Sequence, residues 1–280
     1  MTITEGADAM AGKNSDLPLR IFGSIFVVAA ILSGIWLGNP LWSALCAFAS
    51  LLSLWEFYKL TSADHKYSPV LMFLLAAVTL YAVLVKHETG WMLVFASVFV
   101  ILILFEEVWD RQRTGKSTAL RSVGNFIGGV AYIVLPWCYL ALLHGLTFGC
   151  ELLVVLFFCT WSCDVFAYFT GRRFGKHKLC ENVSPKKTWE GSFGGAAACL
   201  LCALIGAVIF RLPLLHTLAL GFFCGILGQI GDLAESVLKR EADVKDSGNI
   251  IPGHGGMLDR FDSILVNAVV TYIIFGLFVL

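Results

Sequence analysis

Residues 214–262 read LLHTLALGFFCGILGQIGDLAESVLKREADVKDSGNIIPGHGGMLDRFD. The first part, 214–235, is almost wholly apolar and about as long as the roughly 20 residues that a helix needs to cross a bilayer core of about 30 Å. The second part, 236–262, reverses that character: nine of its 27 residues are charged, against 14% for the whole chain. A helix that crosses a membrane and runs into a charged, glycine-rich loop is the reading from which the rest follows.

The composition agrees. Of 280 residues, 58% are hydrophobic and 14% charged, where a soluble domain carries about 25% charged. Mean hydropathy is +0.80. Formal net charge is zero, so no global field draws in nucleic acid. The predicted fold class is an all-α polytopic integral membrane protein. Nine apolar runs, near 20–38, 41–59, 69–86, 91–108, 124–143, 152–170, 191–211, 214–235 and 263–280, give nine predicted transmembrane helices. Three regions follow: a polar tail over 1–19 with no secretory signal, N-terminal spans over 20–150, and a C-terminal region over 151–280 with polar loops at 171–190 and 236–262.

Loop lysines and arginines orient such a chain, because cytoplasmic loops hold the excess. With nine spans and the N-terminus inside, 18 of the 20 fall on one face; only Lys86 and Arg211 fall on the other. The expected arrangement puts the N-terminus in the cytoplasm and the C-terminus opposite. The loops 171–190 and 236–262, joined by a helical hairpin, then open on the same cytoplasmic face.

Six of the nine cysteines (Cys46, Cys159, Cys163, Cys199, Cys202, Cys224) lie within apolar runs. Buried cysteine behaves as a small hydrophobe, and the C-x-x-C spacing at Cys199–Cys202 is read as packing. Glu56, Glu106 and Glu107 sit near helix ends and read as interfacial. Gly124–Gly128, Gly191–Gly195 and Gly221–Gly225 have the spacing that allows close helix contact, read as packing within one chain.

The chemistry gathers in the two loops. Asp232, Glu235 or Ser236, Lys239 and Asp243 recur every three or four residues, the spacing of one helical face. Asp232 lies at the membrane boundary, where a carboxylate is costly unless paired or functional. Asp259 and Asp262 open the last span. Between them IPGHGG holds a helix-breaking Pro252 and glycines that permit close backbone approach. Mg²⁺ commonly takes one or two carboxylates plus phosphate oxygens, while lysine, arginine and loop amides suit phosphate. A Mg²⁺–phosphate site is one reading; a solvated loop that sets topology is the other. In the second loop, Asp164 and Tyr168 share a helical face, and Arg172, Arg173, Lys176, Lys186 and Lys187 follow. Ser184-Pro185 reads as an N-cap with proline at the first helical position, which would place Lys186 and Lys187 at an anion-binding helix N-terminus.

At this point the residues resemble a known signature. Ser236, Lys239-Arg240, Lys245-Asp246, Gly248, Pro252, His254-Gly255-Gly256, Asp259-Arg260 and Asp262 match that of the phosphatidate cytidylyltransferase (CDP-diglyceride synthase) family, and GRRFGKHKL…SPKKTWEG at 171–191 is similar as well. The resemblance covers about 20–280 and implies transfer of a cytidylyl group from CTP to phosphatidate, giving CDP-diacylglycerol and pyrophosphate. It implies Mg²⁺ as cofactor, with room for a second cation, held by Asp232, Asp259 and Asp262. Lys239, Arg240, Asp259, Arg260, Asp262 and His254 are the expected catalytic residues. Asp164, Tyr168, Arg172, Lys176, Ser184, Lys186, Lys187, Ser236, Lys245, Gly255 and Gly256 are expected to bind substrate. It implies a bacterial inner-membrane protein whose active site faces the cytoplasm, and it allows a homodimer. The rival class is an ion-coupled transporter using Asp164 and Asp232, but the first five spans carry little intramembrane charge to match the later ones.

Overall fold

The structure is a computed structural model that describes residues 17–62, 69–86, 90–115, 118–250 and 255–278. The expected residues Pro252 and His254, most of the polar tail, and Lys13, Lys66 and Lys116 lie outside the described residues.

Each predicted apolar run is helical: α1 Leu17–Leu37, α2 Asn39–Thr61, α3 Pro69–Leu84, α4 Gly90–Thr114, α5 Ala119–Leu143, α6 Gly149–Phe174, α7 Trp189–Phe210, α8 Leu214–Glu241 and α9 Leu258–Leu277. Six of these, α2 and α5 to α9, are long and apolar enough to cross a membrane. α5 and α9 each contain a π-helical turn, at Val130–Val134 and Ile273–Leu277.

The outer surface identifies the solvent. Trp36, Phe105, Phe169, Phe193, Val208 and Leu215 are all exposed. So broad an apolar surface would be an aggregation hazard in water and is the expected covering of helices in lipid, whose backbone groups bond internally. The protein is a polytopic helical membrane protein.

Inside, Leu54 of α2, Phe126, Ile133 and Leu140 of α5, and Leu152 and Leu156 of α6 are fully buried in one core. The C-terminal helices stack in sequence, α6 on α7, α7 on α8 and α8 on α9. Small residues permit this. A Cβ added at Gly195 would lie 2.7 Å from the Cys163 carbonyl of α6, and one at Gly225 would lie 3.0 Å from Ala196 Cα of α7. Two of the three close-contact spacings are therefore spent within the chain. Gly124–Gly128 lines a cleft of about 470 Å³ beside α8. Cys199 is fully buried and takes a contact from Cys159 Sγ on its carbonyl, as packing requires.

Two local expectations fail. Ser184-Pro185 does not cap a helix: Ser184–Thr188 forms strand β2, paired antiparallel with β1, Lys178–Cys180. The helix starts at Trp189, where the Thr188 side chain accepts the Gly191 amide. A polar hairpin at the membrane surface satisfies its backbone by pairing, whereas a helix there would have left Lys178–Cys180 without a partner. Second, Asp243 is not on the face of Asp232 and Lys239. α8 ends at Glu241, and Asp243 turns the chain in the left-handed region at φ 53°, where Asn and Asp are tolerated better than most residues.

Candidate active site

The hairpin β1–β2 folds over the charged ends of α6 and α8. Glu190, in the first turn of α7, anchors it by accepting the Lys176 and His177 amides and pairing with His177 Nδ1 at 2.6 Å. Lys178 Nζ donates to the Pro185 carbonyl. Arg240 Nε donates to Val183 O at 3.4 Å and its Nη1 to Val244 O at 3.3 Å, tying the loop after α8 to the hairpin.

Below the hairpin lies a cleft of about 500 Å³ lined by Asp164, Tyr168, Arg172, Lys178, Lys186, Lys187, Gln229 and Asp232 among others. Residues from α6, the hairpin and α8, up to 68 positions apart, thus share one site. Arg172 Nη1 donates to Tyr168 Oη at 3.1 Å. Lys187 Nζ lies 2.8 Å from Asp232 Oδ2, and Ser236 Oγ donates to Asp232 Oδ1 at 3.4 Å. This pairing makes a carboxylate tolerable at the membrane boundary. It also leaves a lysine and a carboxylate poised at the cleft wall, able to exchange each other for a phosphate and a cation.

A second cluster lies one turn along α8. Lys239 Nζ donates to Glu235 Oε2 and to Asp259 Oδ1, both at 2.7 Å. Asp259 Oδ2 accepts the Ser247 amide (2.8 Å), Ser247 Oγ (2.9 Å) and the Gly256 amide (2.8 Å). As Asp232 does with Lys187 and Ser236, Asp259, expected as a metal ligand beside Asp232 and Asp262, holds protein donors on both oxygens. Its observed work is to bind Lys239 and to gather the signature loop onto α9. Gly255 takes the positive φ of 85° that this turn requires, and a Cβ at Gly256 would lie 2.7 Å from the Glu56 carboxylate carbon.

Asp262 stands between the clusters. Its Oδ1 accepts the Ser263 amide. Gly231 packs against the Asp262 carbonyl, where a Cβ would come within 2.9 Å, so Asp262 neighbours Asp232 across the α8–α9 contact. Asp164, Asp232 and Asp262 act on one another electrostatically, and Tyr132 of α5 feels Asp232, Glu235 and Asp262. The Tyr132 hydroxyl is buried with no hydrogen-bond partner among the described residues.

Among the described residues no three carboxylate, histidine or cysteine side chains converge to hold a metal on their own. The donor set nevertheless fits Mg²⁺ in its usual protein mode, one or two carboxylates completed by substrate phosphate oxygens. Asp232 and Asp262 could supply those carboxylates, with Asp259 in the neighbouring cluster.

The other expected residues fall around this core. Ser184 is half-buried in β2, while Lys176 and Lys245 are exposed and Arg260 is exposed in the first turn of α9. Four residues were missed or misread by the sequence reading. Tyr132 and Gln229 carried no local signal. Glu56 was read as interfacial, as was Glu107, and both are buried. Glu107 accepts the Thr118 amide and Ser122 Oγ at the start of α5. Their signal was available only as a glutamate within an otherwise apolar helix.

A helical membrane protein with a basic, carboxylate-lined cleft at one end of its helices is the class defined so far. Residues 18–278 match the model of the cytidylyltransferase family, so the chain belongs to that family. It is 47% identical over 137 residues to a phosphatidate cytidylyltransferase of Bacillus subtilis. That alignment spans about half of each protein, 48% of this chain and 49% of the relative. Similarity to a phosphatidate cytidylyltransferase of Synechocystis is 32% over 90% of this chain and 94% of that one. To one of Haemophilus influenzae it is 31% over 94% of this chain and 100% of the relative.

Proposed function

We propose that this protein transfers the cytidylyl group of CTP to phosphatidate, forming CDP-diacylglycerol and releasing pyrophosphate, for phospholipid synthesis. The observation that carries the reading is the cleft in which Lys186, Lys187 and Arg172 face Asp164 and Asp232, in a chain matching the cytidylyltransferase family over nearly its whole length. The printed names of its relatives supply the substrates.

The chemistry suits these residues. A phosphate oxygen of phosphatidate attacks the α-phosphorus of CTP, the bond to the β-phosphate oxygen breaks, and pyrophosphate leaves with that oxygen. The phosphomonoester is already an anion at neutral pH, so no strong general base is needed, and rate comes from positioning and charge stabilisation. Lys186, Lys187 and Arg172 hold the triphosphate. As CTP enters, Lys187 would pass from Asp232 to a phosphate, and Asp232 and Asp262 are the residues that would hold Mg²⁺. The bound ion would offset charge on the phosphates and the departing pyrophosphate. Lys239, fixed by Glu235 and Asp259, presents positive charge beside the carboxylates, with Arg240 and Arg260 as further cations. Asp164 is the carboxylate that would hold a second cation.

The topology follows from charge. Nine crossings, an N-terminus in the cytoplasm, a C-terminus on the other face and a cytoplasmic cleft at a bacterial inner membrane reproduce the 18-to-2 division of lysine and arginine. A homodimer would use surfaces other than Gly191–Gly195 and Gly221–Gly225, which are filled within the chain. The transporter reading gains no support, since the carboxylates gather at one end of the helices rather than along a path through them. Purified protein with labelled CTP, phosphatidate and Mg²⁺ should give CDP-diacylglycerol only when all three are present; product without phosphatidate, or none at all, would refute the assignment. Cysteines at exposed Lys245 and Arg211, in a background without reactive thiols, should label from opposite faces; labelling from one face would break the nine-span arrangement.

A further inference from the structure

Glu56 of α2 is 1% exposed and reaches across some 200 residues of sequence to the start of α9. Its Oε1 accepts the Met257 amide at 2.9 Å, and its Oε2 accepts the Leu258 amide at 2.8 Å. Ser247 Oγ approaches the same Oε2 at 3.4 Å. The first amides of a helix have no partner within it and carry the positive end of its dipole. In α9 no local side chain caps them; Glu56 takes two, and Asp259 takes the preceding Gly256 amide. The loop is shaped around the carboxylate. A Cβ at Gly248 would lie 3.0 Å from Glu56 Cδ, and one at Gly256 would lie 2.7 Å from it.

These contacts continue into the site. Ser247 joins Glu56 to Asp259, Asp259 binds Lys239, and Lys239 binds Glu235. Asp259 and Asp262 sit in the first turns of α9, so the rotation of that helix about its axis sets where both carboxylates point. A residue's Cβ direction turns by about 100° per position along a helix, and the two amides held by Glu56 lock that rotation where it matters. We infer that Glu56 is a positioning residue for the transfer reaction: it touches no substrate and acts by holding the first turn of α9, and through it Asp259 and Asp262, in register with Lys239 and Asp232. The inference rests on the proposed transfer activity for its kinetic consequence, and on geometry alone for its structural one.

The test uses the full-length protein in detergent or nanodiscs with Glu56→Gln, which keeps size and replaces one accepting oxygen by a donor facing an amide. Glu56→Asp, which keeps the charge but withdraws it by one methylene, serves if the first variant does not fold. Two readouts separate the possibilities. Steady-state kinetics should show kcat lowered at least tenfold, with KM for CTP and for phosphatidate within threefold of wild type. Hydrogen exchange should quicken in the peptide covering 255–262 and stay unchanged in α6 and α7. Wild-type kcat with unchanged exchange at 255–262 would overturn the inference. So would exchange that quickens throughout the helices in both variants, which is the mark of a residue that only stabilises the fold. If wild-type protein makes no CDP-diacylglycerol, the proposed function fails instead, and the exchange pattern still decides whether Glu56 holds this turn.

Discussion

The two halves of the protein handle charge in opposite ways. In α6 to α9 one set of polar and charged groups is displayed: Asp164, Tyr168, Arg172, Lys186, Lys187 and Asp232 line an open cleft, over helices drawn together by glycine, while Glu235 is buried against Lys239. In α2 and α4 one glutamate each is hidden, while Glu106 and Asp110 of α4 are not. Glu56 and Glu107 are 1% and 6% exposed, and each takes backbone amides at the start of a later helix, α9 and α5 respectively. The C-terminal half carries the groups suited to phosphate and cation, and the N-terminal half holds their supports in place. A carboxylate buried against helix amides is stabilised by the dipole and by hydrogen bonds to a charged acceptor; one left at a cleft wall with a single lysine can still change partners.

The largest expected effects fall on the displayed and bridging aspartates, and they divide. Asp232→Asn and Asp262→Asn should purify normally, lose about 100-fold or more in turnover, as removal of a charge stabiliser does, and need more Mg²⁺ for what remains. Asp259→Asn should lose turnover too, because Lys239 is released, but its Mg²⁺ requirement should stay near wild type while its melting temperature falls. A Mg²⁺ titration beside a thermal melt for all three checks this. A Mg²⁺ shift in Asp259→Asn as large as in the other two would return Asp259 to the metal.

A middle-sized effect belongs to the cleft wall. Lys187→Ala should raise the apparent KM for CTP by roughly tenfold, the scale of one charged hydrogen bond, with a smaller change for phosphatidate. Equal changes for both substrates, or none, would mean that Lys187 serves only to neutralise Asp232.

The smallest belongs to the hidden side. Glu107→Gln loses a helix cap worth about 1 kcal/mol, so the melting temperature should drop by a few degrees while kcat and both KM values hold. A kinetic defect there would show that the N-terminal half does more than support.

Much of this was legible in the sequence, for physical reasons. Each foreseen apolar run is helical, and six of the helices are long and apolar enough to cross a membrane, because burying a backbone in lipid demands long apolar runs that hydropathy detects directly. Asp232 and Asp164, which line the cleft, stood out because charge near a membrane boundary is costly and therefore informative, whereas Lys187 was expected at a helix N-terminus and lines the cleft from a strand. Three things were not legible. Ser184-Pro185 has the composition of a helix start, and only its pairing with Lys178–Cys180 makes it a strand. Asp243 kept the helical spacing, yet the helix ends two residues before it. Glu56 has its partners at Ser247, Met257 and Leu258, and no local pattern can report a bond formed some 200 residues away. Asp259 was recognised as important, but its engagement with Lys239 and the loop amides appears only in three dimensions.

Following the label shows whether this cleft carries out nucleotidyl transfer. Wild-type protein and Asp232→Asn are each given phosphatidate and Mg²⁺ with CTP labelled at the α-phosphorus, and in parallel at the γ-phosphorus. For wild type, α-label should enter the lipid fraction in step with pyrophosphate release while γ-label stays in the aqueous phase, and Asp232→Asn should lose about 100-fold of that transfer. Gamma-label in the lipid, no label in it from either position, or undiminished transfer by Asp232→Asn would contradict the account.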